Sequence, residues 1–180
     1  MKSKAAEEIL QYSFSDQGLL EKALTHSSYA NEMTGDPSNG NERLEFLGDA
    51  VLDAVISVFL FEKYKEKEEG DLTRLRALIV CEKSLSTAGK ASGINQYIKL
   101  GRGEEMGGGR QRSSIVADAL EAVIGAVYLD GGMEAASVVV RLLLDNVIES
   151  ALSGKLFMDH KTELQEWLQQ HIWPAEARHV

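Results

Sequence analysis

Two segments of the sequence place carboxylates among apolar residues at helical spacing. Glu42, Glu45 and Asp49 stand at positions i, i+3 and i+7, so a helix would carry them on one face. Asp118 and Glu121 stand at i and i+3 inside a second, strongly apolar run. An ionised carboxylate in apolar surroundings costs several kcal/mol unless something positive meets it. These acids are therefore the residues from which chemistry is expected.

Simpler explanations apply unequally to these acids. Glu42, near the start of a helix, can equally well complement the helix dipole. Glu45 can pair with Arg43 or with a lysine on a solvated face, and for a lone glutamate that explanation would be preferred. Asp49 stands among apolar residues, where a solvated face is not expected. The same objection holds for the two acids of the second segment.

We expect the two helices to pack with their acidic faces together, so that four carboxylates converge: Glu45, Asp49, Asp118 and Glu121. Like charges at such short range cannot all ionise without a cation between them. Ligands that are all oxygen, without Cys or His, favour Mg²⁺, with Mn²⁺ as a substitute. Such a site activates water and neutralises charge on an attacked phosphate, so phosphodiester hydrolysis is the expected chemistry.

Two other kinds of site are disfavoured by the sequence. Di-iron proteins need a Glu-x-x-His pair on each of two helices, and neither acidic segment has a histidine three residues after a glutamate. The glycines at 107–109 lack the Gly-Lys-Ser/Thr ending of a nucleotide-binding loop. We therefore expect no nucleotide cofactor.

The composition is typical of one soluble globular domain, with 180 residues, 44% of them hydrophobic and 26% charged. The beginning of the sequence shows no apolar signal core, and no apolar run approaches the roughly 20 residues that span a bilayer. We expect a cytoplasmic protein without a membrane partner. The single cysteine, Cys81, excludes an internal disulfide framework.

The formal net charge of −9 disfavours a nucleic-acid partner, because phosphate contacts supply most of the affinity for nucleic acids. Two things would reverse that expectation. One is the binding of divalent metal ions at the carboxylates, and the other is a basic partner domain outside this chain.

The apolar pattern is helical almost throughout, and no run alternates in the manner of a strand. The sequence therefore predicts an all-α bundle. Its expected helices are one capped by Asp16, one from 41 to about 66, one capped by Asp71, one from about 82 to 92 that ends at Gly93, one from about 115 to 129, and one from 133 to 152. We expect 101–114 to be irregular.

The segment 41–49 resembles the signature motif of bacterial ribonuclease III. Three further segments resemble motifs of that family in the same order: the His-Ser block at 24–29, the glycine-arginine loop at 101–112 and the second acidic motif at 118–122. The resemblance covers about residues 20 to 130.

The resemblance implies a helical nuclease domain over 1–154 that forms a homodimer and holds an RNA duplex in a cleft. Asp49 and Glu121 would be catalytic, and Glu45, Asp49, Asp118 and Glu121 would bind the metal. Glu42 would handle substrate or dimer contacts. Each subunit would cut one strand and leave 5′-phosphate and 3′-hydroxyl ends with a short 3′ overhang. Ribosomal and messenger RNA precursors are the targets that the family suggests.

Four other residues have competing interpretations. Arg110 and Arg112 are expected either to contact phosphate or to lie in a solvated loop. His26 is expected to be a structural histidine rather than an acid or base. Phe46, beside the acids, either anchors the dimer or belongs to the core.

Residues 155–180 are expected to form a linker and the first part of a double-stranded-RNA-binding domain with an α-β-β-β-α order. The segment 159–169 resembles the first helix of that domain, although His160 stands where the family commonly has proline. Thr162 and Gln165 match positions that meet the minor groove in the family. The chain stops near the point where the first strand should begin.

Two alternatives to a nuclease remain open from the sequence. One is a protein of the same fold that holds structured RNA without cutting it. The other is a purely structural bundle, in which Asp49 or Asp118 changed to asparagine would raise thermal stability and Mg²⁺ would add none.

Overall fold

The computed structural model describes residues 2–155. Within this part the chain forms eight α-helices: α1 (Lys2–Leu10), α2 (Gln17–Ala23), α3 (Ser27–Thr34), α4 (Glu42–Lys63), α5 (Glu69–Val80), α6 (Glu82–Ser92), α7 (Arg102–Met106) and α8 (Ser113–Leu152). Single 3₁₀ turns lie at Pro37–Asn39, Ile94–Tyr97 and Gly109–Gln111. An isolated bridge joins Thr25 to Lys99, and no strand forms within 2–155. The all-α prediction is confirmed.

The core is built around the contact between α4 and α8, because both helices carry apolar residues three and four positions apart. Its largest fully buried side chains on these helices are Leu52, Ile56, Leu60, Leu120, Ile124 and Leu144. Helix α1 covers one end of this core with Ala6 and Leu10. The two acid-bearing helices therefore pack directly on each other.

Two glycines let the backbones of α4 and α8 touch. A Cβ atom on Gly48 would lie 1.8 Å from the carbonyl oxygen of Glu121, and one on Gly125 would lie 2.4 Å from the carbonyl oxygen of Leu44. Neither distance is compatible with a side chain. This close approach fixes how near the acids of α4 come to the acids of α8.

Helix α8 bends at Gly132, whose φ of 76° and ψ of −173° lie outside the helical region. The sequence predicted two separate helices here, from about 115 to 129 and from 133 to 152, and the non-helical Gly132 confirms that α8 consists of two helical halves. The Asp130 carboxylate accepts hydrogen bonds from the Tyr12 hydroxyl at 2.8 Å and from the Ser15 and Asp16 amides at 2.9 Å. The break is thereby tied to the segment after α1.

By length and composition alone, α8 passes as a possible membrane span, contrary to the expectation from the sequence. The most apolar stretch of the helix is 44% buried within the chain. The core role of α8 accounts for this apolar composition, because Leu120, Ile124 and Leu144 are fully buried.

Local signals were correct at some helix ends and wrong at others. Asp16 caps α2 by accepting from the Gly18 amide at 2.8 Å, and Gly93 ends α6 with φ of 80°, both as predicted. The predicted cap at Asp71 is wrong, since α5 begins at Glu69 and Asp71 lies in its first turn. Its carboxylate instead pairs with Arg74 at 3.3 Å. The segment expected to be irregular contains α7.

Candidate metal centre

Three carboxylates converge where α4 crosses α8. One carboxylate oxygen from each of Glu45, Asp118 and Glu121 lies within 4.8 Å of the other two. Glu45 comes from the first turn of α4, whereas Asp118 and Glu121 are neighbours one turn apart on α8. All three side chains are half-buried. The structure thus brings together three of the four predicted metal ligands.

Burial and mutual repulsion make these carboxylates reluctant to ionise. Burial, followed by the negative charges of Asp49, Asp118 and Glu45, raises the pKa of Glu121 to about 8. The pKa of Glu45 is also raised, by burial first and then by the charge of Asp118. A bound cation would favour the ionised form of these carboxylates and would offset the free-energy cost of ionising them close together.

The pKa of Asp118 is raised as well, and its charged neighbours lie on other elements. Burial is the main cause, and the charge of Glu82 at the start of α6 adds to it. The imidazole of His26 acts in the opposite direction and lowers that pKa. Two residues outside the acidic motifs, Glu82 and His26, therefore influence the ionisation of Asp118.

Asp49 is exposed, which corrects the expectation that its apolar neighbours bury it. Val51 and Leu52 are buried, yet the Asp49 side chain between Gly48 and Ala50 stays accessible to solvent. The charge of Asp49 still raises the pKa of both Glu45 and Glu121, so it lies close to the cluster without belonging to the closest three. Glu42 is exposed at the first residue of α4.

The donor set of the cluster fits a hard divalent cation. The ion pairs Arg74–Asp71, Lys99–Glu21, Arg110–Glu105 and Arg112–Glu104 of the described residues do not involve the three converging carboxylates. Only oxygen ligands are offered, and Mg²⁺ and Mn²⁺ prefer such ligands. The cluster is thus short of positive charge.

The two arginines of the 101–112 loop differ in role. Arg110 is mostly buried, donates to the Glu105 carboxylate through Nε at 3.0 Å and Nη2 at 2.5 Å, and donates through Nη1 to the carbonyls of Asn95 and Gln96 at 2.9 Å. These bonds hold the loop and leave Arg110 little freedom for phosphate. Arg112 pairs with Glu104 at 2.6 Å and stays half-exposed, so a phosphate contact there remains a prediction.

His26 and Phe46 each had two interpretations. The Nδ1 atom of His26 accepts a hydrogen bond from the Ser28 amide at 3.2 Å and thereby caps α3, as expected of a structural histidine. Phe46 is 81% exposed, so it is not a core residue of this chain. Thr162 and Gln165, predicted to contact RNA, lie outside the described residues.

Sequence reasoning missed four contributors to the site. Asp53 raises the pKa of Glu121 from one turn beyond Asp49, a position that its i+4 spacing would have indicated. Gly48 and Gly125 lie inside helices, where glycine is unfavourable without a packing reason, and that cost was a usable signal. Nothing in the sequence pattern links Glu82 to the cluster.

The family whose sequence profile matches this chain is described as Ribonuclease-III-like, and the match covers residues 16–147. The chain belongs to the ribonuclease III family. It is 48% identical over 165 residues to Ribonuclease 3 of Clostridium perfringens, a match that covers 92% of this chain and 69% of the relative. It is 49% identical over 163 residues to Ribonuclease 3 of Symbiobacterium thermophilum, covering 91% and 68%.

Solved structures agree with this assignment. The fold matches the nuclease domain of ribonuclease III from Campylobacter jejuni with a TM-score of 0.72 and 44% identity, over 78% of this chain and 94% of that one. That structure is described as flexible in a region involved in dimer formation. The described helices therefore constitute a ribonuclease III endonuclease domain, and the α4–α8 cluster lies within the part that matches the family.

Proposed function

We propose that this ribonuclease III hydrolyses phosphodiester bonds of double-stranded RNA with Mg²⁺ held by Glu45, Asp49, Asp118 and Glu121. The observation that carries the proposal is the convergence of three carboxylate oxygens within 4.8 Å at the helix crossing. The products would be 5′-phosphate and 3′-hydroxyl ends with short 3′ overhangs. Mn²⁺ would substitute for Mg²⁺, because both ions prefer oxygen ligands.

The chain's own residues would position the reactants. A bound divalent cation would lower the pKa of a coordinated water and neutralise charge on the attacked phosphate. Glu45, Asp118 and Glu121 would hold the ion at the base of the cleft, where they are half-buried. Asp49 is exposed beside them and would face the substrate side. We assign the catalytic roles to Asp49 and Glu121, and Glu42 to substrate handling.

A homodimer would complete the cleft. A second face of α4 exposes apolar and small side chains: Phe46, Ala50, Ala54, Val58 and Phe61. We call these residues the apolar face. It runs beside a groove of about 240 Å³ that is lined by Val58 and Phe59 of α4 and Met133 of α8. Exposed aromatic side chains such as Phe46 and Phe61 are typical anchors of protein interfaces.

The remaining assignments rest on the family. Residues 1–154 would form the nuclease domain, and 155–180 a linker with the first part of a double-stranded-RNA-binding domain. The natural targets would be ribosomal and messenger RNA precursors in the cytoplasm. The net charge of −9 is compatible with these targets if bound metal ions offset the acidic cluster.

Cleavage of labelled duplex RNA, with and without Mg²⁺, tests the proposal. Glu121→Gln should abolish cleavage and spare RNA binding, because it removes a metal-binding carboxylate without changing the shape of the side chain. Glu134→Gln, an exposed position on the same helix, is the matched control and should cleave normally. Binding of duplex RNA by the native chain without any cleavage in Mg²⁺ would support the non-cleaving alternative instead.

A further inference from the structure

His26 is anchored between the two segments that lead into the acidic helices. Its backbone amide donates to the Lys99 carbonyl at 3.1 Å, beside the isolated bridge between Thr25 and Lys99. The next residue, Ser27, lies against Gly40, where a Cβ atom would come within 2.9 Å of the Ser27 amide nitrogen. The backbone around His26 is therefore held at a junction of three chain segments.

Both neighbouring segments continue to the metal centre. Gly40 lies just before α4, which carries Glu45 in its first turn. On the other side, Ile98 and Leu100 pack with Ile115 and Ala119 of α8, the residues that flank Asp118. Consistent with this placement, His26 is close enough to Asp118 to lower its pKa. The backbone at His26 thus lies beside the segment that packs against α8 next to Asp118.

The hydrogen bonds of the ring determine which nitrogen carries the proton. Nδ1 accepts from the Ser28 amide at 3.2 Å, so it is not protonated in the neutral ring. The Ser28 hydroxyl lies 2.8 Å from the same Nδ1, and its oxygen accepts from the Gly101 amide at 3.0 Å. The proton therefore resides on Nε2, whose N–H has no hydrogen-bond partner within residues 2–155.

We propose that His26 is a positioning residue of the metal centre, whose Nε2–H holds the Asp118 carboxylate through one water in the orientation that a metal ion requires. The inference rests on the proposed function, since it presumes that Asp118 is a ligand. Ligating carboxylates commonly accept such outer hydrogen bonds, and losing one typically costs 10- to 100-fold in metal affinity or activity. The negative charge of Glu82 repels the Asp118 carboxylate, so a hydrogen-bond donor such as His26 would help to hold that carboxylate in place.

Two substitutions of His26 separate the role of Nδ1 as the cap of α3 from the role of Nε2–H as a hydrogen-bond donor. In His26→Asn, the amide oxygen can replace Nδ1 as the cap of α3, because asparagine is among the best N-cap residues, but nothing replaces Nε2–H. In His26→Gln, the longer side chain can bring an amide N–H near the place of Nε2–H, but it loses the cap acceptor. A purely structural histidine would tolerate the first change and suffer from the second.

Mn²⁺ binding, followed by electron paramagnetic resonance on the native chain and both variants, tests the inference without relying on cleavage. Thermal unfolding of the same samples reports the cap. We expect His26→Asn to melt near the native temperature and to bind Mn²⁺ about 10- to 100-fold more weakly. We expect His26→Gln to melt at a lower temperature and to bind Mn²⁺ more tightly than His26→Asn.

Several outcomes would overturn the inference. Equal Mn²⁺ affinity in the native chain and a folded His26→Asn would overturn it while leaving the proposed function intact. A native chain that binds no Mn²⁺ would overturn both. If His26→Asn fails to fold, His26→Gln decides: an affinity within about threefold of the native value supports the role of Nε2–H, and a 10-fold or greater loss contradicts it.

Discussion

Two adjoining faces of α4 depart from the usual pattern of burial in opposite directions. On the acidic face, Glu45 is half-buried against Asp118 and Glu121 of α8. On the apolar face, Phe46 and Phe61 are 81% and 72% exposed. Carboxylates are thus removed from water while aromatic rings remain in it, and both arrangements cost free energy in an isolated chain.

Each of these two faces lacks a different kind of partner. The acidic face is short of positive charge, which a small cation supplies. The apolar face is short of apolar contact, which only a macromolecular surface such as a second copy supplies. Because both faces lie on one rigid helix, assembly at the apolar face and metal binding at the acidic face can be perturbed separately.

The largest effect is expected from removing the aromatic anchor of the apolar face. Phe46→Ala should weaken self-association by about 2–4 kcal/mol, or roughly 30- to 1000-fold in Kd, because buried aromatic anchors dominate interface energies. Sedimentation at several concentrations measures this change, and Mg²⁺ binding should stay near native. Met106→Ala is the control, because Met106 is 89% exposed outside the apolar face. An unchanged Kd for Phe46→Ala would separate the apolar face from dimer formation.

A smaller effect is expected at the contact that creates the acidic face. Gly48→Ala should lower the free energy of unfolding by about 1–3 kcal/mol, because the new methyl group must push α4 away from the Glu121 carbonyl. Mg²⁺ affinity should fall as well, since the carboxylates separate with the helices. Urea unfolding and metal titration measure the two effects. Gly103→Ala, where a Cβ atom meets nothing within 4 Å, is the control. Native metal affinity in a destabilised Gly48→Ala would contradict this account.

The smallest effect concerns pH and belongs to the acidic face alone. The pKa of Glu121 is about 8 in the folded, metal-free chain, against an ordinary value of 4.5. The folded state then holds more protons than the unfolded state between about pH 4.5 and 8, so stability falls as pH rises through that window. Because the side chain is only half-buried, solvent screens part of the effect.

Urea unfolding in a metal chelator at pH 5, 6.5 and 8 measures this dependence. Saturating Mg²⁺ should remove the loss of stability at pH 8, because the ion compensates the ionised carboxylates. Glu121→Gln should show a shallower pH dependence than the native chain. Parallel pH profiles for the native chain and Glu121→Gln would show that Glu121 does not cause the loss.

Periodicity predicted much of this architecture. Apolar residues at intervals of three and four predicted α4, α6 and both halves of α8, because a helix must bury one face. The spacing of Glu45, Asp118 and Glu121 predicted that they could meet once the helices packed. These features depend on local geometry, which the sequence specifies directly.

Other features depend on tertiary contacts that no local pattern encodes. Asp49 is exposed although its neighbours in sequence are apolar, because exposure depends on which part of α4 other elements cover and not on the adjacent residues. The proximity of Glu82 and His26 to Asp118 joins three distant segments.

Thermal unfolding of the native chain and Asp118→Asn across a Mg²⁺ titration at constant ionic strength tests whether the α4–α8 carboxylates form a site for a divalent cation. Mg²⁺ should raise the melting temperature of the native chain, with about 2.7 kcal/mol of stabilisation at 100 times the Kd, and should raise that of Asp118→Asn much less. A native melting temperature that does not respond to Mg²⁺, or an equal rise in both proteins, would contradict the existence of such a site.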